Sequence, residues 1–247
     1  MKILSKINDF IEKDYKSSNL NCGFMINPYR FGLIPTFSDD FSSYASQPSA
    51  DASWVPNDTA KCRVNITNDN LDFNIVMDST SDHIYRDLTS VSDSAWVLRF
   101  KVRFSALTSG ADVIFMFGLH NITAGAATVQ DSIQVKIGYE ATKQFGHYTT
   151  DGTSINNNAF TQNNTYTVLI NTDYYVELKR TGTTSFISTL YSDSAYTTVL
   201  TAPSSGTCAA TCIGLRYLKL ANIITTAPGS MVGTIDDIKF YNGVTSV

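Results

Sequence analysis

From residue 39 onward, apolar and polar side chains alternate with a period of two. Leu71, Phe73, Ile75 and Met77 alternate with Asp72, Asn74, Val76 and Asp78. Trp96, Leu98, Phe100, Val102 and Phe104 alternate with Val97, Arg99, Lys101 and Arg103. Val113, Phe115, Phe117 and Leu119 alternate with Asp112, Ile114, Met116 and Gly118, and Ile133, Val135, Ile137 and Tyr139 with Gln134, Lys136 and Gly138. Successive side chains of a strand point to opposite faces, so this pattern predicts antiparallel sheets with one face buried. Further strand signals lie at 166–170, 174–180, 185–191, 197–200, 213–220 and 234–241. Turn-forming clusters separate them, among them Thr108-Ser109-Gly110, Asp151-Gly152, Asn156-Asn157-Asn158 and Thr181-Gly182-Thr183. So many short strands predict an all-β, two-sheet antiparallel jelly-roll sandwich. Asp51-Ala-Ser-Trp54 and Asp93-Ser-Ala-Trp96 echo each other, each a turn leading to a Trp expected in the core.

The start of the chain follows a different period. Ile3, Leu4, Ile7, Phe10 and Ile11 fall on one face of a short amphipathic helix over 2–16. Residues 17–38 form a connector broken by Asn27-Pro28, Gly32 and Pro35. Its Phe24, Met25, Tyr29, Phe31 and Phe37 make it too apolar for a free linker, so a surface must receive it, its own or a partner's. The domain reading is an arm over 1–38 and a sandwich over 39–247. The arm either packs on its own domain or docks into a larger assembly.

Composition narrows the classes. Eighteen Lys and Arg against 22 Asp and Glu give a net charge of -4, which argues against a nucleic-acid partner. Only Glu12, Glu140 and Glu177 are glutamates, and Asp favours turns over helices. The first residues are interrupted by Lys6, Asn8, Asp9 and Glu12, unlike a signal peptide, and no apolar run is long enough for a membrane helix. The expectation is a soluble chain without a membrane span, placed on a virion or cell surface as part of an assembly. Edge or arm contacts could make it a homo-oligomer. Cys208 and Cys212 are spaced for free thiols, a small disulfide loop or two metal ligands, and the three His are scattered. Four Asn-x-Ser/Thr matches in so Asn- and Thr-rich a chain read as chance.

Three stretches bear a family resemblance: DDFSSY at 39–44, YYVELKRTGTTSFISTLYSD at 174–193 and GTIDDIKFYNG at 233–243. Together they resemble the concanavalin A-like lectin/glucanase superfamily, including its laminin-G-like members. The resemblance covers about residues 39–243. It implies a jelly-roll with one concave sheet and a last strand pairing near the first. It fixes no activity, because this fold hosts lectins, hydrolases, lyases and structural modules.

Candidate chemistry follows from both readings. The resemblance implies a structural calcium near the meeting strand ends, where Asp39, Asp40, Asp236 and Asp237 would supply hard oxygen ligands; alternatively these aspartates cap turns. Alternation turns His120, Gln134, Lys136 and Glu140 outward, together with Arg99, Lys101 and Arg103, and adds His147 or Tyr148. Such planar polar groups hydrogen-bond sugars, and Tyr148, Tyr191 and Tyr196 could stack on them. The expected carbohydrate-binding set is therefore Arg99, His120, Gln134, Lys136, Glu140 and Tyr148, unless the face is simply solvated. The carboxylate run of the superfamily's glucanases is missing. Gln134-Val-Lys136 and 99–103 only loosely echo a polysaccharide lyase. The leading expectation is a non-catalytic carbohydrate-binding, lectin-like module with a glycan partner. The alternatives are an assembly protein of a virus particle or other surface assembly, acting through residues 1–38, and third a polysaccharide lyase.

Overall fold

A computed structural model describes residues 33–77, 82–107, 113–123, 131–140, 142–151, 155–156, 166–221 and 229–247. The expected helix over 2–16, Cys22 and most of the connector lie outside these residues. Residues 33–247 form one compact unit.

Among the described residues, fifteen strands and one short helix follow in order: β1 (Phe37–Asp39), α1 (Gln47–Ser53), β2 (Val55–Pro56), β3 (Cys62–Asn65), β4 (Asn70–Met77), β5 (His83–Asp87), β6 (Trp96–Leu107), β7 (Val113–His120), β8 (Asp131–Glu140), β9 (Thr142–Asp151), β10 (Ile155–Asn156), β11 (Asp173–Arg180), β12 (Ser185–Tyr191), β13 (Ser204–Thr207), β14 (Tyr217–Ala221) and β15 (Gly229–Asn242). One sheet of eight strands runs β13-β12-β11-β6-β15-β4-β3, with β1 also on β15; the other, of seven, runs β10-β9-β8-β7-β14-β5-β2. The recorded pairings are antiparallel, as the alternation predicts. The last strand pairs with the first, Phe37 opposite Phe240. Phe37 and Ser38, at the end of the connector, thus already belong to the sheet.

The inward face of each strand supplies the core. Leu98, Phe100 and Phe104 of β6 and Val176 and Leu178 of β11 meet Phe117 and Leu119 of β7 and Ile133 and Val135 of β8. The Phe100 and Phe117 rings cross edge to face between the sheets, 4.8 Å apart. Both Trp54 and Trp96 are fully buried.

Three strand expectations are corrected. Residues 166–170 form no strand: Leu169 and Ile170 are exposed, and the Leu169 N–H donates to the Tyr174 hydroxyl rather than to a neighbouring strand. Residues 197–200 contribute only an isolated bridge at Val199. There the Asp193 carboxylate accepts the N–H groups of Ala195, Thr197 and Thr198 and holds a turn. Over 213–220 the strand begins only at Tyr217, because Gly214 takes a positive φ of 67°.

The register of β15 shifts between Val232 and Gly233 and again between Asp236 and Lys239. At the first bulge a Cβ on Gly233 would stand 2.2 Å from the Arg103 carbonyl oxygen and 2.6 Å from the Phe73 ring. Backbone approaches backbone here, so only glycine fits without moving the central strand. Gly233→Ala is expected to destabilise the fold by about 2 kcal/mol or more, read as a lower urea midpoint at unchanged slope.

Candidate functional site

The expected carbohydrate-binding residues divide between the two sheets. His120, Gln134 and Lys136 stand on the seven-stranded sheet, on the face turned from the core. Arg99 stands on the outer face of the eight-stranded sheet. Residues on opposite sides of a sandwich cannot share one small ligand. The three on the seven-stranded sheet are also buried rather than solvated: His120 and Gln134 are 0% exposed and Lys136 3%. Alternation fixes the face a side chain takes but not whether that face meets water. Gln134 donates to the Ser132 hydroxyl at 2.6 Å, and Ser132 shares a hydrogen bond with Thr150 at 2.7 Å. Lys219, opposite Gly118 on the same face, is fully buried, and burial draws its ammonium down to about 8. Glu140 ends β8 and Tyr148 stands opposite Gln134 in β9; their side chains lie outside the described residues.

His147 turns into the core. Its ring meets Phe186 edge to face at 4.8 Å, and Nδ1 lies 3.1 Å from the Ser188 hydroxyl. Burial, and then the charge of Lys136, draws its pKa down to about 4.

Arg99 is engaged structurally. It donates to Glu177 at 2.8 Å, and its guanidinium lies 4.4 Å from the centroid of the Tyr196 ring. Tyr191 and Tyr196 do come together, with Tyr175, but edge to face among themselves. The loose echo of a lyase is thereby divided, with Gln134 and Lys136 on one sheet and Arg99, Lys101 and Arg103 on the other.

An open groove of about 550 Å³ crosses the outer face of the eight-stranded sheet over β3, β4, β15 and β6. Arg63, Asn65, Asp72, Asn74, Arg103 and Thr234 line it. Strand period places them together: each alternates with a core residue, such as Val64, Leu71, Phe73, Phe104 or Ile235. Arg63 faces Asp72 across β3 and β4, and Thr234 faces Asp72 on one side and Arg103 on the other. Asp51 fixes Arg63 through two bonds of 3.1 and 2.6 Å, and Asn65 donates to Asp72 at 2.7 Å. The array offers guanidinium, amide, hydroxyl and carboxylate groups from rigid strands. The alternation around Leu71 already turned Asp72 and Asn74 outward, but the strand order that gathers them with Arg63, Arg103 and Thr234 is not readable from it.

No family profile matches the sequence, and no curated protein sequence matches it. Solved structures do match. A point mutant of the Emp46p carbohydrate recognition domain superposes over 86% of this chain and 99% of its own, with TM-score 0.54 and 11% identity. The chain has the concanavalin A-like fold. The exoplasmic/lumenal domain of VIP36 in its Ca2+-bound form gives TM-score 0.50 at 8% identity, covering 86% of this chain and 98% of its own. A mutant of the GH43 protein BlXynB from Bacillus licheniformis gives 0.52 at 8% identity, covering 83% of this chain and 39% of its own. A carbohydrate recognition domain, an exoplasmic/lumenal domain and part of a GH43 protein thus share this concanavalin A-like architecture.

Of the four aspartates expected to hold calcium, Asp39, Asp40 and Asp237 line one cleft beside the β1–β15 pairing, Asp39 standing opposite Ile238, while Asp236 does not line it. They do not fit a calcium. Asp39 accepts from the Phe41 N–H at 2.9 Å, Tyr44 OH at 2.5 Å and Trp54 Nε1 at 2.9 Å. Asp40 accepts from the Ser42 N–H and hydroxyl, and Asp236 pairs with Lys101 at 2.5 Å. Asp237 sits in the second bulge with φ 51°. Among the described residues, no three acidic, His or Cys side chains converge as a metal site requires. No described helix is long and apolar enough to cross a membrane.

Asp39 instead organises a buried polar knot. Burial, then its carboxylate, pushes the Tyr44 hydroxyl up to about 12. Asp39→Ala leaves the Trp54 indole N–H buried without its acceptor, and is expected to cost about 3 kcal/mol, checked by chemical denaturation. His147 gives a pH dependence. Between its ordinary 6.5 and its folded value of about 4, the unfolded chain binds a proton that the folded chain does not, so this contribution to stability is lost as pH falls through that window. From about pH 7 to about pH 4.5, the protein is expected to lose roughly 2 kcal/mol more than His147→Phe; parallel urea-midpoint curves would contradict this.

Proposed function

We propose that this chain is a non-catalytic, lectin-like carbohydrate-binding module whose ligand lies in the groove over β3, β4, β15 and β6. The open groove of about 550 Å³ carries the reading. Its volume suits an oligosaccharide unit, and its planar amides and guanidinium groups match the paired hydroxyls of a sugar. The concanavalin A-like fold, shared with the Emp46p carbohydrate recognition domain, supports the same class. The non-catalytic part rests on the carboxylates. Glycoside hydrolysis ordinarily uses two facing carboxyl groups, whereas Asp72 is the only carboxylate among the groove's described lining residues. Asp72 is also held by Asn65. Recognition in this groove rests on hydrogen bonds, since the Tyr175, Tyr191 and Tyr196 cluster is not part of its lining.

A glycan array with the full chain, run with calcium and with chelator, is expected to give a hit in both conditions. Arg63→Ala and Asn74→Ala are each expected to weaken that hit about five- to tenfold, as loss of one polar contact to ligand does. Asn74 is exposed, so its replacement should change thermal stability little, while Arg63→Ala also loses the half-exposed pair with Asp51 and should cost about 1 kcal/mol at most. A blank array, or undiminished binding by both variants, would overturn the assignment to this groove.

A further inference from the structure

At the β11–β12 end of the sandwich, Arg180 is fully buried, yet no carboxylate pairs with it among the described residues. Its Nε donates to the Gly182 carbonyl at 3.1 Å. Its Nη2 donates to the carbonyls of Thr183, at 2.5 Å, and Cys212, at 2.9 Å, and faces the Cys208 sulfur at 3.9 Å. Its Nη1 is buried with no acceptor. A buried guanidinium without a counter-charge is costly; three carbonyls take this one's N–H groups, and its Nη2 also faces a thiol sulfur. The turn from Cys208 to Cys212 is closed by the Cys212 N–H donating to the Ala209 carbonyl at 3.0 Å; the Cys208 thiol faces the Thr183 carbonyl at 3.8 Å and the Cys212 thiol the Ser132 carbonyl at 3.9 Å. Both cysteines are free and buried.

We propose that Cys208 and Cys212 form a peroxide-reactive dithiol, with Cys208 the attacking sulfur, Arg180 its counter-charge and Cys212 the resolving thiol. The same surroundings separate the two sulfurs. The neighbouring Cys212 thiol, and then Arg180, draw the Cys208 thiol below the ordinary thiol range against burial, while Cys208 and burial push Cys212 up. The Asp131 charge opposes ionisation of both. Cys62, buried in the core, is pushed up and serves as an inert reference.

The chemistry balances with hydrogen peroxide as the two-electron oxidant. The Cys208 thiolate attacks one peroxide oxygen; an S–O bond forms, the O–O bond breaks, and hydroxide leaves and takes up the proton that Cys208 released. The product is a sulfenic acid. The Cys212 sulfur then attacks Cys208; an S–S bond forms, the S–O bond breaks, and the hydroxyl leaves as water with the Cys212 proton. Two thiols and one peroxide give one disulfide and two waters. Peroxide is small enough for a sulfur as enclosed as Cys208, at 7% exposure.

The test uses the reduced full chain carrying Cys22→Ser, treated with hydrogen peroxide, quenched, unfolded in denaturant, alkylated and digested with trypsin. The peptide 181–216 contains both cysteines and is expected to become lighter by two hydrogens and to resist alkylation, while Cys62 stays alkylatable. Cys212→Ser is expected to stop at a sulfenic acid on Cys208, trapped by dimedone, and Cys208→Ser to leave Cys212 reduced. Arg180→Met should slow oxidation about tenfold. Because that variant could fail to fold, the unmodified site is also titrated by alkylation rate, with half-maximal rate expected below the about 8.5 of an ordinary thiol, the direction in which its surroundings draw Cys208. A 181–216 peptide that keeps its reduced mass while Cys62 oxidises, or a Cys208 alkylation midpoint above about 8.5, the value of an ordinary thiol, overturns the proposal. Glycan binding plays no part in these readouts, so the outcome is independent of the groove.

Discussion

The antiparallel insertion of β15 between β4 and β6 holds the eight-stranded sheet together. Residues 229–235 of β15 pair with β4, and the strand pairs with β6 from Met231 to Asn242. β1 adds to the β4 side beyond that point, where Phe37, Ser38 and Asp39 meet Phe240, Lys239 and Ile238. Without this strand the β3–β4 hairpin and β1 have no ladder to the β6–β11–β12 half of the sheet. The inward residues Met231, Ile235, Ile238 and Phe240 carry the core across the join. Two bulges let one strand serve three neighbours, because each inserted residue re-aims the side chains that follow it. The close backbone approach at Gly233 is the local requirement of that arrangement.

The groove is a by-product of the same join. Arg63 and Asp72 belong to β3 and β4, Arg103 to β6, and Thr234 to the strand between them. No single hairpin contains this set, and its members are separated by up to most of the chain length. Rigid strands hold the groups without the conformational entropy that a loop site would lose on binding.

Polar side chains take three kinds of position in this molecule. Ion pairs such as Arg99–Glu177 and Lys101–Asp236 tie adjacent strands of the outer face. Buried polar groups are knitted inward: Asp39 with Trp54 and Tyr44, and Gln134 with Ser132 and Thr150. Arg180 forms a third kind, a buried cation whose acceptors are carbonyls and a sulfur. Asp39 supplies the acceptor that the buried Trp54 indole N–H needs, whereas the Arg180 Nη1 keeps none.

Local pattern alone determined the fold class, the long strands and the inward or outward sense of most of their side chains. β6 reads as a strand with Leu98, Phe100, Val102 and Phe104 inside, and it is one, because a period of two is set by covalent geometry and one-sided burial. Short strands such as β3, β5 and β13 escaped notice, since four or five residues carry too little pattern. Segments 166–170 and 197–200 misled because β-branched and aromatic residues there serve turns and a hydroxyl contact instead. The candidate site was much less legible. That His120, Gln134 and Lys136 are buried, that Arg99 lies on the other sheet, and that Asp39 serves Trp54 depend on which elements pack against which. Only the tertiary structure decided these, because strand order and the covering of a face arise from contacts between residues distant in sequence, and a periodic pattern encodes the side a residue faces but not its neighbour there.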